Sequence, residues 1–128
     1  MDYSRSYKCE TDINVGSGVV AGTKDNQVKI AASGDFIGVY PFENGKLNRK
    51  ANEHIGIVVS GGPFKVLVSG VVNAGKKAVL NSVVGKEGTF KECPTVAGTY
   101  SICGMFLENG AIDEYVEMIV ERSTHVVV

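Results

Sequence analysis

The sequence predicts an all-β domain, a sandwich or barrel of about eight short strands behind an extended N-terminal arm. Three observations predict it. Turn signals recur roughly every eight to twelve residues and separate short apolar runs. Glycine is abundant, 16 of 128 residues, and valine fills the apolar runs, a pairing that favours strands and the corners between them. The block Gly61 to Leu80 alternates, with Phe64, Val66 and Val68 on one face and Lys65, Leu67 and Ser69 on the other. Gly70 then interrupts the apolar run where a bend or bulge belongs.

Residues 1–12 are polar, with Tyr3 and Tyr7 as the large apolar groups. They read either as a frayed terminus or as an arm that orders on a neighbouring surface with the tyrosines as anchors. Residues 13–128 read as a single β domain, within the size of one core. Residues 13–22 form an irregular strand or a glycine-rich loop. Gln27 to Ala32 is a short strand between the turns Lys24-Asp25-Asn26 and Ser33-Gly34-Asp35. Phe36 to Tyr40 is a compact strand stopped by Pro41. Asn44-Gly45, followed by Lys46, is a hairpin signal, because both central residues of a type I′ turn need positive φ. Leu47 to Glu53 is a polar surface loop, and Ile55 to Val59 is a strand ending at Ser60-Gly61-Gly62-Pro63.

After Leu80, Gly85-Lys86-Glu87-Gly88 marks a turn, Thr89 to Cys93 a strand before Pro94, and Thr99 to Leu107 a strand broken in phase by Gly104. Asn109-Gly110 signals a second hairpin. Ile112 to Val120 fits a helical stripe and an alternating strand equally well; the preceding Asn-Gly favours the strand. Ser123 to Val128 is either an extension of that strand or an exposed apolar end.

The net charge is −1, without the basic excess that phosphate binding requires, so no nucleic-acid partner is expected. Lys46/Arg49/Lys50 and Lys76/Lys77 read as solvated loops. The longest uncharged apolar run, Val66 to Gly75, is too short to span a bilayer, and the first residues lack the apolar core of a signal peptide. A soluble protein made in a cytoplasm is the expectation, with its three cysteines, Cys9, Cys93 and Cys103, reduced.

No catalytic constellation emerges. His54 and His125 are far apart and lack metal-ligand spacing. Cys103 belongs to a strand and reads as buried, whereas Cys9 in the arm reads as the most reactive thiol. Glu108, Asp113, Glu114, Glu117 and Glu121 read as a solvated face, without the alternation of a calcium loop. Gly16, Gly18 and Gly22 lack the strand-to-helix setting of a phosphate loop. No enzyme activity, cofactor or metal is expected.

The order FIGVYP, IGIVVSGG, FKVLVSGVVNAGKKAVL, GKEGTF, GTYSICGMFL and YVEMIVE, from Phe36 onward, resembles the small decoration (cement) proteins of tailed-phage heads. The resemblance implies a small β-barrel or β-tulip-like protein on the outer surface of the virion. It would be made in the host bacterial cytoplasm, assemble as a homotrimer and bind the major capsid protein. The arm residues Tyr3, Arg5, Tyr7 and Lys8 are then the candidate capsid contacts, with Asn44, Gly45, Lys46, Asn109 and Gly110 as hairpin-tip contacts. The other readings are a head-fibre base or tail component, a biotinyl- or lipoyl-like carrier presenting Lys76 or Lys77, and a thiol enzyme using Cys9 or Cys103.

Overall fold

The computed structural model describes residues 3–30, 35–42 and 47–128. Among these, nine strands form and no helix. They are β1 (Tyr3–Cys9), β2 (Ser17–Ala21), β3 (Gln27–Ile30), β4 (Phe36–Tyr40), β5 (His54–Leu67), β6 (Lys77–Leu80), β7 (Phe90–Glu92), β8 (Gly98–Phe106) and β9 (Tyr115–Val127).

The first five strands close into a barrel in the order β1-β3-β2-β4-β5, with β5 returning to pair with β1. Only β1 and β3 run parallel in this ring. Its interior is filled by Cys9, Ile13, Val15, Val19, Val28, Tyr40, Ile55 and Ile57. On β5 the period of 2 is plain: Ile55 and Ile57 are buried, while His54 and Gly56 are exposed.

Residues 3–9, expected to belong to an arm, are the strand that closes this barrel. Ser4 to Lys8 lie opposite Val58 to His54 in antiparallel register. The amides of Lys8 and Cys9 donate to the carbonyls of Asn26 and Glu53 at 2.8 and 2.9 Å. From Ser4 to Cys9, Tyr7 and Cys9 are the side chains turned towards the core, so the segment carries little strand signal. The segment is held instead by main-chain pairing between two edges that would otherwise be open.

The sequence pattern around Ser60 to Pro63 reads as the end of one strand and the start of another. The structure has one strand, β5, running through it. Gly61 and Gly62, with φ of 106° and 135°, make a bulge where the register shifts, and the Gly62–Pro63 peptide is cis. Before the bulge β5 pairs with β1; after it, β5 pairs with β9. One strand thereby serves two sheets.

The second sheet runs β5-β9-β8-β6-β7. It curls until β7 meets the continuation of β5. Val68 and Phe90 form a parallel bridge, and the Ser69 amide donates to the Phe90 carbonyl at 3.0 Å. Val66, Val68, Val72, Phe90, Phe106, Val116, Met118 and Val120 fill the enclosed space. Phe36 from the first barrel enters it, edge-on to Phe90 with ring centroids 6.0 Å apart. The two halves touch at Gly18, where an added Cβ would lie 2.7 Å from Leu80 and 2.8 Å from Phe90.

β9 settles the helix-or-strand ambiguity as a strand, with Val116, Met118 and Val120 buried in alternation, and it continues to Val127. Beyond Gly61↔Val120 its pairing with β5 ends, and Ser123 to Val127 pair with Ile102 to Gly98 of β8 alone. The pairing of β6 with β8 stops at Ala78↔Gly104. There the Leu80 amide turns to the Cys103 thiol instead of continuing the ladder.

Candidate interaction surface

The titratable side chains serve the fold. Among the described residues, no three His, Cys, Asp or Glu side chains gather as a metal site would require. Burial pushes the Cys103 thiol up to about 12. Cys9, expected to be the most reactive thiol, is enclosed in the barrel; burial, reinforced by Glu53, raises its pKa too. Cys93 is half-buried, with its thiol 3.6 Å from the Pro94 carbonyl. His54 lies opposite Lys8 at the start of β5, and His125 lies opposite Tyr100 in the second sheet.

Of the acidic residues, Glu108 accepts from the Glu117 amide at 2.9 Å and from Lys65 Nζ at 3.2 Å, contacts that hold its carboxyl below the usual range. Glu114 accepts from the Ala111 amide at 2.6 Å. Both pin the connection between β8 and β9.

The four residues expected to reach out from an arm sit on β1. Tyr3 pairs through its backbone with Ser60. The Arg5 guanidinium lies 5.6 Å above the Tyr7 ring. Tyr7 is half-buried against the barrel core, and Lys8 is tied through its amide to Asn26. Asn44, Gly45 and Lys46 lie outside the described residues. Asn109 and Gly110 do not form a two-residue turn, because the connection between β8 and β9 runs from Leu107 to Glu114. Gly110 exchanges two main-chain hydrogen bonds with Val72, at 2.9 and 3.0 Å, and Asn109 Oδ1 accepts from the Ala74 amide at 2.9 Å. The pair fastens two loops to each other instead of offering a free tip.

What the surface does offer is apolar residues on braced loops. Val84 is 91 % exposed and Val83 58 %, at the head of the connection between β6 and β7. The turn is closed by the Lys86 amide on the Val83 carbonyl, and Gly85 supplies its φ of 90°. Glu87 accepts from the Gly85 amide, which holds its carboxyl below the ordinary range. Below the turn, Asn81 accepts from the Val83 amide and donates to Ser69 Oγ, and the Thr89 hydroxyl donates to the Lys86 carbonyl. The Gly88 carbonyl receives the Gly18 amide, tying the loop to the first barrel. Two adjacent valines are thus held in water by a loop with little freedom, the setting of a contact residue. Val71 and Ile112 are exposed on the fastened loops near Gly110, and Val96 and Val126 near the far end of the β8–β9 ribbon. The sequence assigned no role to Val83 and Val84; their place directly before the turn signal Gly85-Lys86 was the available clue.

No protein-family model and no curated protein sequence matches this chain. Among solved structures it is similar to the head fibre gp8.5 N base of bacteriophage phi29. The TM-score is 0.60 at 13% sequence identity, over 98% of this chain and 98% of that chain. At that identity the likeness is one of fold, and it extends over both halves of the molecule.

Proposed function

We propose that this protein is a structural component of a tailed-phage head, binding the outer surface of the shell through the major capsid protein as a decoration protein. The observation that carries the reading is the likeness in fold, nearly end to end, to a phage head-fibre base. The surface is compatible with it. The protein is a rigid body of near-neutral charge whose exposed apolar groups stand on braced loops, Val83 and Val84 foremost. Such small contacts are weak singly and gain avidity when repeated over a lattice. A protein that binds the assembled shell and not its separated subunits shifts the equilibrium towards the shell. Assembly as a homotrimer would be heterologous and closed by rotation.

A head-fibre base is the second reading, favoured by what the similar structure is described as. The two readings share shell attachment and differ in whether anything projects from the bound body. Mixing the purified protein with heads that lack it, followed by sedimentation and cryo-EM, tests both. Co-sedimentation with density confined to the body supports decoration, and a projecting partner at each body supports a fibre base. Failure to co-sediment with expanded shells contradicts attachment itself.

A further inference from the structure

The turn into β6 brings unpaired positive charge to one cleft. Gly75, at a φ of 88°, turns the chain, and Lys76 and Lys77 follow it directly. Neighbours within a strand point to opposite faces, but Lys76 precedes β6 and Lys77 opens it, and both line the same hollow. Their backbones are fixed: the Phe106 amide donates to the Lys76 carbonyl at 3.0 Å, and the Cys93 amide to the Lys77 carbonyl at 2.8 Å. The far end of β9 adds His125 and Val127 to the lining, and the connection between β7 and β8 adds Pro94 and Thr95.

The hollow holds about 380 Å³, and none of the residues lining it is acidic. The whole chain carries 14 acidic against 13 basic residues, so the charge is segregated here. Among the described residues neither lysine has an ion pair, in contrast to Lys65, which lies 3.2 Å from Glu108. Glu121 borders Lys77 in a neighbouring hollow without reaching ion-pair distance. Two ammonium groups that share a hollow without a counter-charge repel each other, and a carboxylate from outside relieves that repulsion. The wall is also partly apolar, through Pro94 and Val127, and the exposed Val96 and Val126 stand beside it along the chain. Cationic groups with an apolar flank match a peptide that alternates acidic and apolar side chains better than a bare phosphate.

We propose that this cleft docks an acidic segment of a partner polypeptide, with carboxylates on Lys76 and Lys77 and an apolar side chain against Pro94 and Val127. Thr95 and His125 supply further hydrogen-bonding groups. The proposal goes beyond shell attachment and is tested on the full chain without any phage particle.

The probe is a five-residue peptide of alternating glutamate and valine, blocked at both ends, titrated into the isotopically labelled protein by NMR. Saturable shifts at Lys76, Lys77, Thr95 and His125 are expected. Replacing the peptide's glutamates with glutamine, which keeps its shape, should weaken binding about tenfold or more. Changing Lys76→Gln and Lys77→Gln together should weaken it by a similar factor at an unchanged melting temperature, since both side chains are exposed. Lys91→Gln, outside the cleft, should leave binding unchanged. Added salt should weaken the glutamate peptide and spare the glutamine one. Equal binding of the two peptides, or shifts confined to other surfaces, would overturn the proposal. So would tighter binding of inorganic phosphate or a short oligonucleotide than of the peptide, because it would assign the cleft to phosphate.

Discussion

Between β1 and β5 the first barrel is sealed by six residue pairs, from Tyr3↔Ser60 to Lys8↔His54, whereas among the described residues the second sheet returns on itself through the one bridge Val68↔Phe90. In the first every strand has a neighbour on both sides, although β4 and β5 pair at one position, Val39↔Val58; among the described residues the second leaves one side of β8 without a strand beyond Gly104 and raises Val83 and Val84 on a loop. A closed ring spends its main-chain groups internally, and a sheet that stops short of closure keeps some for a partner. On the proposed reading, one half gives support and the other makes contact, although β5 runs through both.

Removing residues 1–9 should have the largest effect. It opens the barrel along its full seam and exposes the core around Ile55 and Ile57, so the melting temperature should fall by more than about 10 °C or folding be lost. A truncated protein that melts like the full chain would restore the reading of these residues as an arm. Phe90→Ala attacks the weaker seam of the second sheet. Loss of a fully buried ring should cost about 3–5 kcal/mol in urea unfolding. Gly18→Ala probes the join between the halves and should cost roughly 1–3 kcal/mol, because the Leu80 and Phe90 side chains must move aside.

pH sharpens the comparison further. The Cys103 pKa rises on folding from its ordinary 9.0 to about 12, so the neutral thiol is the form the fold favours. Its contribution is complete below pH 9 and is lost as pH rises from 9 towards about 12, where the unfolded chain ionises first. Urea midpoints measured through that range should fall more steeply for the native chain than for Cys103→Ala. The smallest effect belongs to Val84→Asp. On an exposed turn it should alter stability by less than about 0.5 kcal/mol, while weakening co-sedimentation with phage heads.

Much of this architecture was legible in the sequence, and the exceptions share a cause. The alternation of Phe64, Val66 and Val68 and the strand choice for Val116 to Val120 rest on side chains that meet one core, and Phe36 to Tyr40 showed itself as a compact apolar run shared between the two cores. Ser17 to Val20 could not show alternation because all four residues are buried, with the strand covered on both faces. β1 could not be recognised because its ladder is independent of side-chain type. Asn109-Gly110 carried a hairpin signal that a competing pairing with Val72 overrode. Gly61-Gly62-Pro63 has the composition of a stop, yet positive φ at two glycines served a bulge within a continuing strand. An open edge is a property of pairing, so the β8 surface had no signature in the sequence at all.

Native-state hydrogen exchange on the full chain tests the contrast between the halves most directly. The amides of Lys8 and Cys9, bonded to Asn26 and Glu53 along the barrel seam, should exchange only with global unfolding. Those of Thr99 and Ser101, on the side of β8 away from β9, should exchange orders of magnitude faster, while Tyr100 and Ile102, opposite His125 and Ser123 beyond the register shift at Gly104, stay protected. Uniform protection along β8, or a β1 that exchanges before it, would contradict the account.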